Sequence, residues 1–119
     1  MPSDAATFPR QMDPQEQLDW LLPFGDLLET GERIASFTLT ADADAAALGF
    51  TISSGSGRTA AATADGRSIR AWFEVDEAEQ DNAAWDDLGT DCVVEAEIVT
   101  DASPARTRQR SFVLRVRHL

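Results

Sequence analysis

Two apolar runs near the C-terminal end, residues 91–100 and 109–117, constrain the fold of this chain more than any other feature. In both runs apolar and polar residues alternate strictly, and the apolar positions are rich in β-branched and aromatic residues. This pattern is typical of half-buried β-strands. The connector contains Asp101, Ser103 and Pro104, which favour turns, so the runs are predicted to pair as an antiparallel hairpin. The residues predicted to face the core are Cys92, Val94, Ala96 and Ile98 in the first run and Phe112, Leu114 and Val116 in the second.

The opposite face of this hairpin carries complementary charges. Glu95 and Glu97 lie on one predicted strand, and Arg115 and Arg117 lie on the other. Opposite charges across an antiparallel pair contribute roughly 0.2–1 kcal/mol each. These pairs are therefore predicted to form and to help select the register.

Shorter runs with strand character precede the hairpin and are separated by turn-forming residues. The clearest is residues 68–75, in which Ile69, Ala71, Phe73 and Val75 are predicted to face inward. Short strands with turns between them, and no alternating helices, indicate an all-β antiparallel sandwich of about seven strands. The remaining predicted strands are residues 18–22, 34–40, 48–52 and 59–63.

Two acidic segments interrupt the strands. Residues 42–47 are rich in alanine and are predicted to form a helical turn that is too short to be stable alone. Residues 76–88 are predicted to form a loop with a short helical turn, in which Trp85 and Leu88 close one end of the core. Their acidic side chains are oxygen donors suited to calcium, but they lack the spacing of a twelve-residue calcium loop. A solvated acidic loop is therefore the default interpretation, and no metal ligand is predicted.

Trp72 is predicted to point outward from its strand, between Arg70 and Glu74. An exposed tryptophan flanked by charges is suited to anchor a protein–protein interface. The alternative is that Arg70 and either Arg115 or Arg117 stack over the indole within the sheet, through a cation–π contact. The sequence alone leaves both interpretations open.

Residues 1–17 differ in character from the rest of the chain. They contain Pro2, Pro9 and Pro14 and few apolar residues. Proline blocks helix formation and favours extended geometry at the preceding residue. We therefore predict an extended N-terminal arm at 1–17, with fraying as the alternative, followed by one β-sandwich domain at 18–119.

The charge distribution restricts the possible partners. The formal net charge is −11, and all ten basic residues are arginine. Five of these arginines lie in residues 102–119, which contain no acid, so the remainder of the chain is strongly negative. Such a field repels phosphate backbones, and nucleic acid is not an expected partner. No apolar run reaches membrane-spanning length and no signal peptide is recognised, so we expect synthesis in a cytoplasm and no membrane partner.

The sequence contains no recognisable catalytic constellation. The single histidine, His118, lies next to the C-terminal residue, and the single cysteine, Cys92, is on the predicted core face. Nucleophilic catalysis requires a nucleophile, a base and an orienting group within reach of one another. Paired carboxylates are not excluded by their number, but no cleft is predicted for them. We therefore predict a non-enzymatic protein with no catalytic residue and no cofactor.

Three segments resemble small structural proteins of tailed phages. They are residues 7–19, with Thr7-Phe8-Pro9-Arg10 followed by Asp13-Pro14, residues 31–36 (Gly-Glu-Arg-Ile-Ala-Ser), and the ending Arg108-Gln-Arg-Ser-Phe-Val-Leu-Arg-Val-Arg117. The family has an Ig-like sandwich and includes fiber–tail adaptors. This chain differs from it at the acidic segment 76–88, where the family has a short glycine-rich link, and at residues 20–25.

The resemblance implies an Ig-like virion protein that joins a fiber or neck appendage to the tail or to the head–tail junction. Its partners would be other virion proteins, with several copies in a symmetric assembly, and its location would be the virion. The alternative is an Ig-like module that binds a carbohydrate or acts through calcium. The residues expected at the interface are Phe8, Pro9, Trp20, Arg70, Trp72, Arg115 and Arg117.

Overall fold

The computed structural model describes residues 6–119 as two packed β-sheets with eight strands. Three 3₁₀ turns, at Gly25–Leu27, Glu77–Glu79 and Ala83–Trp85, and one short helix, α1 (Ala43–Ala47), lie in the connections. The all-β sandwich predicted from the alternating runs is therefore confirmed. The strands are β1 (Ala6–Thr7), β2 (Leu18–Pro23), β3 (Ile34–Ala41), β4 (Phe50–Ile52), β5 (Ala61–Ala62), β6 (Ser68–Val75), β7 (Thr90–Thr100) and β8 (Thr107–Val116).

The strand order is that of an Ig-like sandwich. One sheet has the order β1-β8-β7-β3, and the other has the order β2-β6-β4, with β5 also paired to β6. In Ig terms β2, β6 and β4 take the places of strands B, E and D, and β3, β7 and β8 take those of C, F and G. All pairs are antiparallel except β1 with β8, which is parallel.

The inward faces predicted from alternation form the core between the sheets. All the predicted core residues of β6, β7 and β8 are buried. Trp85 also closes the core and donates its indole N–H to the carbonyl of Glu79 at 2.9 Å. The prediction for Leu88 is wrong, because its side chain is 71% exposed. Asp87 and Gly89 have positive φ angles of 57° and 73°, and the sharp turn they form directs Leu88 away from the core.

The hairpin forms as predicted, but its charge pairing is different. Asp91 lies opposite Arg115, whereas Glu95 lies opposite Ser111 and Glu97 opposite Gln109. The turn determines this register: the Thr100 N–H donates to the Arg106 carbonyl, and Thr100 Oγ1 accepts from the Arg106 N–H. The prediction that Glu95 and Glu97 pair with arginine is therefore wrong. Those pairs would need a turn that lies later in the chain than the one observed.

The described part of the predicted arm, residues 6–17, is extended but belongs to the sandwich. β1 pairs with β8, and further along the Met12 N–H donates to the Arg115 carbonyl at 3.0 Å. The Met12 side chain is fully buried. Phe8 and Met12 are the apolar anchors that hold this segment on the sandwich, and the proline content of the segment concealed them. Residues 1–5, also part of the predicted arm, lie outside the described residues.

Candidate functional site

A surface groove of about 280 Å³ lies between the segment after β1 and strand β2. Four of the seven residues expected at an interface, Phe8, Pro9, Trp20 and Arg70, line this groove. The pairing of β1 with β8 brings the first two there, and the pairing of β2 with β6 brings the others. The groove is completed by Arg10, Asp19 and Leu21.

Aromatic rings form the floor of the groove. The half-buried ring of Phe8 lies 5.0 Å from the indole of Trp20 and 5.8 Å from the ring of Phe112, between centroids. Its centroid is 6.4 Å from that of Phe73. Aromatic pairs at these separations contribute beyond the area they bury, by about 0.5–1.5 kcal/mol each. The floor is therefore a rigid part of the core that reaches the surface.

Trp20 is the most unusual side chain of the groove. It is only 3% exposed, yet its indole Nε1 has no hydrogen-bond acceptor among residues 6–119. A buried donor without a partner costs about 1–3 kcal/mol. The guanidinium carbon of Arg10 lies 5.0 Å above the same ring, in cation–π contact. Trp20 is thus part of the groove floor rather than a protruding anchor, and its indole N–H is an unused donor among the described residues.

The rim of the groove is polar and accessible. Arg70 NH1 lies 2.7 Å from Asp19 Oδ2, and the two side chains are 52% and 39% exposed. Such exposed ion pairs are worth about 0–1 kcal/mol, so either member is free to change partner at little cost. Leu21 lies opposite Arg70 in the sheet and is 43% exposed. The rim therefore offers a cation, an anion and an apolar side chain next to the aromatic floor.

The other three expected interface residues lie elsewhere. Trp72 is half-buried on β6, and the guanidinium carbon of Arg58 lies 5.5 Å from its ring centroid. A cation–π contact was one of the two predicted alternatives, but the named partners were wrong. Arg70 pairs with Asp19, Arg115 belongs to the other sheet, and Arg117 follows the end of that sheet's β8. Arg115 is held by Asp91 at 2.6 Å and donates to the Leu88 carbonyl at 2.7 Å.

Sequence reasoning missed three lining residues, Arg10, Asp19 and Leu21. Leu21 carried a usable signal, because it is an apolar residue at an outward position of a strand whose inward positions are Trp20 and Leu22. Arg10 carried no such signal, because its contact with Trp20 depends on how the N-terminal segment docks beside β2. Only the tertiary structure brings these residues together.

A second recess of about 350 Å³ lies at the β3–β8 end of the molecule, among Glu29, Glu32, Asp101 and Arg106. Glu32 is buried, and the backbone N–H of Glu29 donates to its Oε1 at 2.9 Å. That hydrogen bond, followed by one from Thr100, holds the pKa of Glu32 below its ordinary value. Arg106 NH1 lies 3.0 Å from Glu29 Oε1. These contacts hold the β2–β3 connection against the β7–β8 hairpin turn. The residues that line the recess therefore have a structural role.

The groups considered for catalysis and metal binding have local roles. Burial, followed by the charges of Asp42 and Asp91, raises the pKa of Cys92 to about 12. His118 Nε2 lies 3.5 Å from Asp86. Asp42 caps α1 by accepting from the Ala45 N–H at 3.2 Å. Within residues 6–119 no group of three or more histidine, cysteine, aspartate or glutamate side chains is arranged to hold a metal ion.

None of the helical segments in the described part of the chain is long and apolar enough to cross a membrane. No protein-family model, no curated protein and no solved structure matches the chain.

Proposed function

We propose that this protein is a non-catalytic virion component of a tailed phage, an adaptor that joins a fiber or neck appendage to the tail or to the head–tail junction. The virion role rests on the resemblance of residues 7–19, 31–36 and 108–117. The adaptor role rests on the groove lined by Phe8, Trp20 and Arg70. The protein is proposed to bind an extended segment of another virion protein there.

The single observation that carries the binding proposal is the buried indole N–H of Trp20, which has no acceptor among residues 6–119. The missing hydrogen bond leaves a cost that a bound peptide carbonyl would remove. Tryptophan and arginine are also the residues that most often dominate interface energetics. Here they lie together in the floor and at the rim of one groove. For the carbonyl to reach the indole, Arg10 is proposed to move from its position above the ring.

The chemistry of the rim describes the partner segment. A carboxylate on the partner would compete with Asp19 for Arg70, and an apolar side chain would cover Leu21 and Phe8. The partner is therefore proposed to be an extended segment with an acidic residue near an apolar one. Main-chain hydrogen bonds give affinity in such complexes and side-chain pockets give specificity.

The experiment that tests this function compares two leucine variants in particle assembly. Leu21→Gln and Leu88→Gln change exposed leucines to a polar residue of similar length, but only Leu21 lines the groove. We expect the wild-type protein and the Leu88 variant to be incorporated into purified particles, and the Leu21 variant to be depleted. Incorporation is measured by quantitative mass spectrometry of particles that contain each variant as the only copy.

Either of two results would contradict the proposal. If the wild-type protein is absent from purified particles, the virion role fails. If the protein is present and both variants enter equally well, the groove is not the binding surface. Melting temperatures of the two isolated variants show whether any depletion reflects loss of folding instead.

The alternative of a carbohydrate-binding or calcium-dependent module has less support. The described residues that carry the acidic charge mainly serve local structure, such as Asp76, which accepts from the Thr51 hydroxyl at 3.1 Å. Trp72, the surface aromatic residue that a sugar would need, is covered in part by Arg58. No observation specifically favours this alternative.

A further inference from the structure

β3 is an uncovered sheet edge, and it lies apart from the groove. Among residues 6–119 it pairs as a strand only with β7. On its other side the Ile34 N–H donates to the Gly66 carbonyl at 2.7 Å, and the edge is open from Ser36 onward among the described residues. Phe37 and Leu39 have inward-facing side chains that remain partly exposed, whereas the inward residues of β7 are fully buried. This difference is expected where no further strand covers the edge.

The backbone groups along this edge follow from the ladder. The Asp42 N–H donates to the Val93 carbonyl, and these two residues lie opposite one another. In an antiparallel pair, residues that bond across the ladder alternate with residues that do not. By this alternation, Thr38 and Thr40 direct their backbone N–H and C=O groups to β7, and Phe37 and Leu39 direct theirs outward. The outward N–H and C=O groups of Phe37 and Leu39 have no backbone partner among the described residues.

Sheet edges in native proteins are usually short, or carry charges, proline or a β-bulge. β3 has a bulge only at its start, between Ile34 and Ser36, and the stretch from Ser36 onward carries none of these features. The other edges here follow that rule: β1 has two residues, β4 has three, and β2 contains Asp19 and Pro23. β3 has eight residues, Ile-Ala-Ser-Phe-Thr-Leu-Thr-Ala, with no charge and no proline. Among the described strands it is the edge best suited to accept another strand.

The sequence of β3 is complementary to itself. In an antiparallel pairing with a two-fold axis at Thr38, Ser36 lies opposite Thr40 of a second copy, and Phe37 lies opposite Leu39. Hydroxyl side chains meet hydroxyl side chains on the outer face and apolar side chains meet apolar ones on the inner face. Such cross-strand pairs are favourable, and no charges are opposed. Closed two-fold symmetry is also the commonest arrangement of homo-oligomers.

We propose that β3 is a self-association edge, through which two copies of this chain pair antiparallel about Thr38 and join their four-stranded sheets. This inference does not depend on the proposed function, because it concerns a different surface and a different partner. Each copy carries a net charge of −11, so the two repel each other at low salt. The dimer is therefore weak and becomes stronger as salt concentration rises.

The first test uses a matched pair of lysine variants. Thr38 and Gln109 both lie opposite Glu97, one on each side of β7. Thr38→Lys and Gln109→Lys therefore add the same charge opposite the same carboxylate, but only the first places two like charges face to face in the dimer. We expect wild type and the Gln109 variant to dimerise in sedimentation equilibrium between micromolar and millimolar concentration. For the Thr38 variant we expect a dissociation constant raised at least about tenfold.

The second test measures the register. Because Thr38 directs its backbone to β7, the pair of Thr38 residues across the dimer is non-hydrogen-bonded, with Cα atoms about 4.5 Å apart. That distance permits a disulfide, so Thr38→Cys should cross-link on mild oxidation. Thr40→Cys is the control, because its counterpart lies four positions away along the strand. The native Cys92 is buried and does not compete.

Three results would overturn the proposal. The first is a wild-type protein that stays monomeric over the whole concentration range at high salt. The second is equal association of both lysine variants. The third is cross-linking of the Thr40 variant as efficiently as the Thr38 variant, which excludes the register. Thermal unfolding of each variant confirms that the comparison is between folded proteins.

Discussion

The rings of Phe8 and Trp20 lie 5.0 Å apart between centroids, at an interplanar angle of 52°. This contact fixes the N-terminal segment against β2 and forms the floor of the groove. The same segment is fixed on its other side by backbone bonds from Phe8 to Val113 and from Met12 to Arg115. The groove therefore exists only as long as the N-terminal segment remains docked.

Backbone amide exchange should show this docking in the isolated protein. The N–H groups of Phe8 and Met12 donate to β8 carbonyls at 2.9 and 3.0 Å, so we expect both amides to be protected without any partner. Exchange at the rate of an unstructured peptide would contradict this expectation. It would also mean that the segment becomes ordered only on assembly.

Truncation of Phe8 should destabilise the whole sandwich. We expect Phe8→Ala to lower the free energy of unfolding by about 2–3 kcal/mol, slightly less than for a fully buried phenylalanine because Phe8 is half-buried. Denaturant unfolding measures the change, with Phe8→Leu as a control that retains most of the apolar volume. Equal stability of the alanine variant and wild type would show that the aromatic contacts do not hold the segment.

Two glycines with positive φ allow steric and conformational effects to be separated. Gly89 has φ 73°, and an added Cβ would lie 2.2 Å from the Val116 carbonyl oxygen. Gly31 has φ 80°, with nothing within 4 Å of the added atom. We expect Gly31→Ala to cost about 1–2 kcal/mol from backbone conformation alone. Gly89→Ala should cost more, by roughly 2 kcal/mol, because the backbone must also shift. Similar decreases in melting temperature for Gly31→Ala and Gly89→Ala would contradict a clash of the added Cβ at Gly89 with the Val116 carbonyl.

Stability should fall in acid, in part through Asp26. The hydrogen bonds from Arg110, at 2.7 and 2.9 Å, hold the pKa of Asp26 below its ordinary value. A carboxyl with a lowered folded-state pKa stabilises the protein above its unfolded-state pKa, at about 4, and loses that contribution as pH falls through the folded-state value. Asp26→Asn should therefore flatten the decline in stability below about pH 4.

The control for this pH profile is Asp81→Asn, which makes the same change of charge at an exposed aspartate. Urea unfolding between neutral pH and about pH 2–3, a range that spans the ordinary carboxyl pKa of about 4, gives the slopes. If the Asp26 variant and wild type decline in parallel, the bond from Arg110 does not contribute to acid sensitivity.

Cys92 should be inert in the folded protein. Burial, and then the charges of Asp42 and Asp91, raise its pKa to about 12, and the thiolate is the reactive form. We expect a thiol reagent to modify Cys92 only in denaturant. Cys92→Ser should cost about 1–3 kcal/mol by burying a hydroxyl without a partner. Rapid labelling of the native protein would mean that this part of the core opens more readily than its burial indicates.

The pattern of the sequence was sufficient to predict the strands and their faces. Alternation in residues 68–75 predicted the limits of β6 and its four inward side chains, and alternation in the hairpin predicted the core residues of β7 and β8. This succeeds because a strand has a period of two, so the face of each residue follows from its position in the strand. The helical turn at α1 was also predicted, because residues 42–47 are rich in alanine, which has the highest helix propensity.

Only the tertiary structure decided which residues meet across strands and between segments. A period of two assigns a face but not a register, so Arg115 lies opposite Asp91 rather than Glu95 because of the turn after Thr100. The docking of Phe8 on Trp20 joins segments whose relation depends on the β1–β8 and β2–β6 pairings. Contacts of this kind depend on where each strand ends and which sheet it joins, and these are outcomes of packing the whole core at once.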